Sequence, residues 1–294
     1  MTQLPLEGII VIDFSTLIAA PIVGSLMADF GAEVIKVELP KIGDPQRGSQ
    51  VFSRGRNPTW LVGGQNKKTI TLDLHKEEGQ GIAKKLCAKA DVVLLNFRPG
   101  VLEKWNLGPQ VLHKINPDLI ICLVSGFGQT GPYRHRGGFD RTASAFAGLT
   151  YTSGYPEYPP VRSGYPLVDY LTGYLGAFAV MMTLYNRDVN DNGGEVIDLS
   201  LVEAAFKATG GSLPTYSLTG SIYERAGNRI QFFVPAENFE TKDEKIVAIN
   251  AGTEKLWKQL VKAMSREDLL TDKRYKKYSA RIRNQDKLYK LIGE

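Results

Sequence analysis

A chain of 294 residues, 43% hydrophobic and 23% charged, has the composition of ordinary globular protein and a length that predicts about two domains. Its net charge of +5 and pI near 9.0 point to an anionic partner. Lys and Arg thicken at 36–56, 134–141 and 273–290 but form none of the stripes or motifs of a nucleic-acid binder, so no nucleic-acid partner is expected, and a small phosphorylated ligand fits the scatter equally well.

Cys87 and Cys122 lie far apart inside apolar patterns and belong to no CxxC, which reads as two reduced core residues of a cytoplasmic protein. Residues 1–7 carry no charged-then-apolar leader. The apolar run at 170–185 contains Gly, Thr and Tyr and is shorter than the roughly 20 residues a bilayer requires. It reads as a buried helix, and no membrane partner is expected.

In chain order, short β-branched runs occur at 9–14, 33–38, 69–74, 91–97 and 119–126. Between them, residues 77–90 place Ile82, Ala83, Leu86, Cys87 and Ala90 on one helical face. Continuously apolar strands alternating with helices predict a parallel sheet covered on both sides, whose ligands bind outside the carboxyl ends of the strands. Helical patterns then dominate from 137 to 213, broken by a strand at 195–199. That strand feeds a helix through Ser200 and Glu203, a capping-box spacing in which hydroxyl and carboxylate satisfy orphan backbone donors. After Gly210-Gly211, Pro, Tyr, Thr and Gly accumulate, followed by a strand at 245–250 and a helix with Leu256, Trp257, Leu260, Val261 and Met264 on one face. The expected fold is therefore α/β: a Rossmann-like parallel sheet with helices on both faces over 1–212, plus a smaller α+β domain over 213–294.

Several chemistries lack their residues. No GxGxxG follows the first strand, and Glu38, where a ribose-binding acid would sit, means little alone; a Walker loop and a GxSxG elbow are also missing. His75, His113 and His135 have no metal-ligand spacing, so no metal is expected, and His113 reads as a solvated residue on a polar helix face. Two glycine-rich turns follow strands, "NFRPG" at 96–100 and "SGFGQTGPYRHRGGFD" at 125–140. Such turns leave backbone N–H groups free to face an anion, and Arg98, Lys104, Arg134 and Arg136 could supply charge-assisted bonds to phosphates. The plainer reading, that Gly and Pro end the strands and the bases are solvated, stands beside it.

Asp169 precedes the long apolar run. It reads either as the N-cap of a helix beginning at Tyr170 or as a reactive carboxylate. A helix dipole favours its charged form, and an ionised Asp, with an ordinary pKa of about 3.9, needs no separate base to act as a nucleophile.

The stretches "PLEGIIVIDFS" (5–15), "LMADFGAEVIKVE" (26–38), "GDPQRG" (43–48), "NFRPGVLEKWNLG" (96–108), "SGFGQTGPY" (125–133), "DYLTG" (169–173) and "RAGN" (225–228) resemble, in order, the class III (CaiB/BaiF-type) CoA-transferase family. That family includes formyl-CoA:oxalate and carnitine CoA-transferases and the related α-methylacyl-CoA racemases. The resemblance implies a Rossmann-like domain, a smaller domain and an interlocked homodimer. It implies an aspartate, here Asp169, that attacks a donor thioester to give an aspartyl mixed anhydride and then an aspartyl-CoA thioester. Acyl-CoA and a small carboxylic acid are the implied substrates, with no tightly bound cofactor. The implied CoA contacts are Leu72, Asp73, Leu74, His75, Asn96, Phe97, Arg98, Lys104, Gly137, Gly138, Phe139 and Asp140.

Departures shape the expectation further. His75 and Leu39 stand where the formyl-CoA branch has basic residues, Ile18 stands where it has a glutamine, and its glycine-rich lid has no counterpart between 210 and 260, so oxalate is not the expected acceptor. Phe139 stands where the racemases have a proton-shuttling histidine, which makes racemisation the alternative and transfer the leading expectation. Typical members continue past the equivalent of Glu294, which leaves a catalytically incomplete CoA-binding subunit as a third expectation.

Overall fold

The computed structural model describes residues 4–48, 57–230 and 233–294; Arg54 and Arg56 of the basic stretch and the first three residues of the leader reading lie outside them. The described chain forms two compact units, Met1–Thr150 with Arg162–Gly220 and Tyr151–Val161 with Ser221–Glu294.

In the first unit, β1 (Ile10–Asp13), β2 (Glu33–Glu38), β3 (Lys68–Thr71), β4 (Val92–Leu95), β5 (Ile120–Ser125) and β6 (Val196–Ser200) form one parallel sheet in the order β3-β2-β1-β4-β5-β6. This is the doubly wound Rossmann order, in which the strand sequence reverses between β1 and β4. The pleat explains the unbroken apolar runs. In β4, Val92 and Leu94 face one core layer while Val93 and Leu95 face the other, and all four are buried. β3 is shorter than expected, and all four of its residues are exposed at the sheet edge.

Helices α1 (Ala19–Asp29), α2 (Pro58–Gly63), α3 (Glu77–Cys87), α4 (Val101–Lys104), α5 (Pro109–Ile115), α6 (Asp140–Phe146), α7 (Leu167–Asn190), α8 (Leu201–Ala208) and α9 (Ser212–Thr219) surround the sheet. Met27, Val168, Val180 and Leu184 pack on the first layer; Ala83, Cys87, Leu102 and Leu112 pack on the second. The expected capping box forms at α8, where Ser200 Oγ accepts from the Glu203 N–H at 3.3 Å. The expected boundary at 212/213 falls at the start of α9, which belongs to the first unit. His113 is not solvated; its Nε2 lies 2.9 Å from the Leu119 carbonyl.

α7 has 24 residues, more than the run read from the sequence, and by length and composition alone it could cross a membrane. Its packing shows the other use of such a helix. One face, including Val168, Gly173, Gly176, Val180 and Leu184, is buried. A Cβ on Gly173 would sit 2.6 Å from Ile22 Cγ2 and 2.9 Å from the Ala19 carbonyl, and one on Gly176 would sit 2.8 Å from Val23 Cγ2. Only glycine permits α1 and α7 to approach this closely. The opposite face exposes Tyr174, Phe178, Met181, Met182, Tyr185 and Val189.

In the second unit, β7 (Ala236–Glu240) pairs antiparallel with β8 (Ile246–Asn250), beside α10 (Glu254–Ala263), α11 (Tyr278–Arg283) and α12 (Gln285–Gly293). Trp257 and Val261, from the face expected on α10, join Leu269, Tyr275 and Leu288 in its core.

Beneath the carboxyl ends of β1 and β2 lies a dry cluster of charges. Lys36 Nζ is 3.1 Å from Asp44 Oδ2 and 3.7 Å from Asp13 Oδ1, and it also donates to the Ser15 carbonyl. Lys67 Nζ reaches Asp13 Oδ2 at 3.0 Å and the Pro21 carbonyl at 2.6 Å. The four charged side chains are 0–1% exposed. Burial pushes the Asp13 carboxyl up, but Lys36, Lys67 and the Ser15 hydroxyl outweigh it and hold it below the ordinary range. Removing one partner of such a cluster strands buried charge. Lys36→Met is therefore expected to destabilise the fold by about 3–5 kcal/mol, read as a lower urea midpoint at unchanged m-value; a loss below about 1 kcal/mol would mean that Lys67 alone neutralises both aspartates.

Candidate active site

The order reversal between β1 and β4 opens a crevice at the carboxyl ends of the strands, and a cavity of about 250 Å³ lies there. One wall comes from the β1–α1 turn, where Leu17 adopts a left-handed φ of +67° that costs a branched residue energy. Two carboxylate oxygens of Asp44 accept its N–H, at 3.2 and 3.3 Å. From the β4 side, Asn96 Oδ1 accepts the Thr16 N–H at 2.9 Å while Asn96 Nδ2 donates to the Thr16 carbonyl at 2.7 Å. The turn is clamped from both flanks. It leads into α1, whose N-terminus has no side-chain cap.

The facing wall is the loop after β5. Gly126 and Gly138 touch, since a Cβ on Gly126 would lie 2.7 Å from Gly138 Cα. Phe127, Tyr133 and Phe146 pack edge-on or tilted with centroids 5.3–5.7 Å apart, and the Arg136 guanidinium stacks 4.3 Å over Tyr133.

Asp169 lines the same cavity. It is not a helix cap: α7 begins at Leu167, three residues before the expected start, with Pro166 at the N-cap. The capping is supplied from a distance by Asp140, whose Oδ2 accepts the N–H groups of Val168 at 2.7 Å and Asp169 at 3.3 Å. Nor does the helix dipole hold Asp169 firmly ionised. Burial first, and the neighbouring Asp140 charge second, push its carboxyl up to about 7.

Of the remaining expected site residues, Asn96, Phe97, Arg98, Gly137, Gly138 and Phe139 line this cavity. Leu72, Leu74 and His75 line a second one of about 190 Å³ outside β1 and β2, together with Leu39, Ile42 and Trp105. Phe97 borders both cavities. Within the second, Trp105 meets His75 and Phe97 edge-on at 5.0 and 4.9 Å, and Asp73 Oδ1 lies 3.0 Å from His75 Nδ1. Lys104 lines neither cavity. Sequence reasoning missed Trp105 and the role of Asp44. The first carries no local signal, whereas the second sits before Pro45 in "GDPQRG", where an Asp capping a turn was readable.

Fold and site define an α/β protein whose binding crevice lies at the strand-order reversal, with an acidic residue of raised pKa inside it. The chain belongs to CoA-transferase family III, whose sequence pattern matches residues 6–294. It is a class III CoA-transferase, acting on CoA thioesters. It is 42% identical over all of its length to the succinyl-CoA–L-malate CoA-transferase β subunit of Chloroflexus aurantiacus and covers 73% of that protein. It is 40% identical to the succinyl-CoA–D-citramalate CoA-transferase of the same organism, over 98% of this chain and 72% of that one. A CaiB/BaiF family protein from Brucella suis superposes with a TM-score of 0.85 at 31% identity, over 99% of this chain and 78% of that chain.

The raised Asp169 pKa has a checkable sign. A carboxyl whose native pKa exceeds its unfolded value contributes stability only while protonated, and that contribution is lost as pH rises from the ordinary value of 3.8 through about 7. Asp169→Asn is expected to raise Tm relative to the parent increasingly from pH 4 to pH 8. In 13C-carboxyl NMR, Asp169 is expected to titrate near 7. Asp140→Asn, which keeps an acceptor for the Val168 N–H, should move that titration to lower pH; an unmoved titration would assign the shift to burial alone.

Proposed function

We propose that this transferase moves CoA from a short acyl-CoA thioester to a free carboxylic acid through Asp169. The single observation that carries this reading is a half-buried carboxylate, with its pKa raised to about 7, in the cavity at the strand-order reversal. A carboxylate tuned near neutral pH is ionised enough to attack and less stabilised than an ordinary one.

In this mechanism an Asp169 oxygen attacks the thioester carbonyl, the C–S bond breaks, and CoA leaves as thiolate, giving an aspartyl mixed anhydride. The thiolate then attacks the aspartyl carbonyl, releases the donor acid as carboxylate and forms an aspartyl-CoA thioester. The acceptor carboxylate attacks that thioester, and thiolate returns to the acceptor's carbonyl, regenerating Asp169. Protons balance without an external base. Each attack builds negative charge on a carbonyl oxygen. The amides of Ile18 and Ala19, at the start of α1 on the cavity wall and without a side-chain cap, are proposed to receive it.

CoA is proposed to lay its adenine end in the apolar second cavity, at Leu39, Leu72 and Trp105, and to run past Phe97 toward Asp169. The malate and citramalate named for the two relatives support dicarboxylic substrates. Phe139 lines the cavity and has no exchangeable proton, so transfer is favoured over racemisation. The exposed apolar face of α7 supports the interlocked homodimer, and the free, buried Cys87 and Cys122, whose thiols are pushed up to about 12 by burial, support a cytoplasmic location. Residues 1–212 and 213–294 are kept as the proposed CoA-binding and small domains.

Incubation with acyl-CoA and hydroxylamine is expected to give an Asp169 hydroxamate by mass spectrometry, and Asp169→Asn is expected to lower transfer by at least ~10³-fold. Transfer that continues at the parent rate with an unmodified Asp169 would sink the mechanism.

A further inference from the structure

We infer that Arg136 reads a second carboxylate on the acyl group or acceptor, which makes this transferase selective for dicarboxylic substrates; the inference rests on the placement of the acyl end beside Asp169 proposed above. Several arginines of the described chain are committed to ion pairs. Arg47, Arg187, Arg229, Arg266, Arg274 and Arg281 each hold a carboxylate within 3.0 Å. Arg136 is exposed and makes no such ion pair among the described residues, but an aromatic ring orients it. Its guanidinium lies 4.3 Å over the Tyr133 ring, and Tyr133 packs in a three-ring cluster with Phe127 and Phe146. A stacked guanidinium keeps its in-plane N–H fork free, and that fork matches a carboxylate through two parallel bonds.

Charge in the cavity makes a cation necessary. Asp169 lines it and Asp140 lies close enough to raise the Asp169 pKa, so an incoming carboxylate meets like charge. A dicarboxylic substrate brings two. Besides Arg136, the cavity is lined by one further guanidinium, Arg98, and by apolar groups such as Ile18, Val124, Phe139 and Leu201. Arg98 follows Phe97, which borders both cavities, and its Nη2 lies against Gly137, where a Cβ would come within 2.8 Å. It stands on the path proposed for CoA. Arg136 stands on the β5–α6 loop and is the other guanidinium of the cavity, which leaves it for the distal group.

Succinyl-CoA and butyryl-CoA differ in the exchange of that distal carboxylate for a methyl, which makes them matched probes. The parent chain is expected to favour succinyl-CoA in kcat/KM, and Arg136→Gln is expected to lower the succinyl/butyryl ratio by ~30-fold, the usual consequence of losing a charged hydrogen bond. Arg136→Lys should restore part of the preference. The same comparison by calorimetry in an Asp169→Asn background, where turnover is blocked, should show the preference in binding and its loss with Arg136→Gln. Equal losses with both thioesters would overturn the inference and place Arg136 on CoA itself, and a parent chain without preference would overturn it too. A chain that discriminates in binding through Arg136 but transfers from neither thioester would support this inference while overturning the Asp169 transfer mechanism.

Discussion

The ion cluster of Asp13, Lys36, Asp44 and Lys67 is the constraint on which the site depends. Four charges withdrawn from water are not an efficient source of stability, because desolvation consumes most of the Coulombic gain. What they provide is position. Asp13 ends β1, Lys36 lies in β2, Asp44 follows β2 and Lys67 precedes β3, so the cluster ties the carboxyl end of β1 and the loop after β2 to the amino end of β3. Asp44 then spends its oxygens on the Leu17 amide and holds that residue in a backbone region it would otherwise leave. The cavity wall, and with it the start of α1, is held to these charges through the Leu17 amide.

The two acids at the other wall divide their labour. Asp140 satisfies the amides of α7 that a cap would normally serve, and by doing so it stands beside Asp169 as a fixed like charge. One interaction thus secures the helix start and tunes the carboxyl one turn in. An Asp169 that had capped its own helix would have been hydrogen-bonded, stabilised as an anion and less reactive.

How far such a site can be read in advance depends on the range of the interactions that build it. The parallel strands were readable because a sheet buried on both faces writes itself as unbroken β-branched runs, and the Ser200–Glu203 cap because both partners lie within one turn. The start of α7 was not, because its capping group lies 28 residues away in sequence, and without that bond Asp169 was the nearest candidate. Its ionisation is illegible in the sequence for the same reason. A dipole can be inferred from a helix pattern, but burial and the proximity of Asp140 exist only after folding. The residue itself was found through the family resemblance of "DYLTG", while Trp105 and the Asp44 clamp appeared only with the fold. In the sequence Arg136 reads as a candidate phosphate contact or a solvated base, and its contact with Tyr133 exists only in the fold.

Gly173 lies one helical turn beyond Asp169 on α7, pressed against Ile22 and the Ala19 carbonyl of α1. Asp169 and the uncapped start of α1 therefore belong to two helices that meet where α7 presents bare backbone to the Ile22 and Val23 side chains of α1. The distance across which a carbonyl would be held is thereby gauged by an absent methyl group. At this spot the freedom of a residue outside the cavity lining to vary is governed by tolerances of tenths of an ångström rather than by polarity or charge.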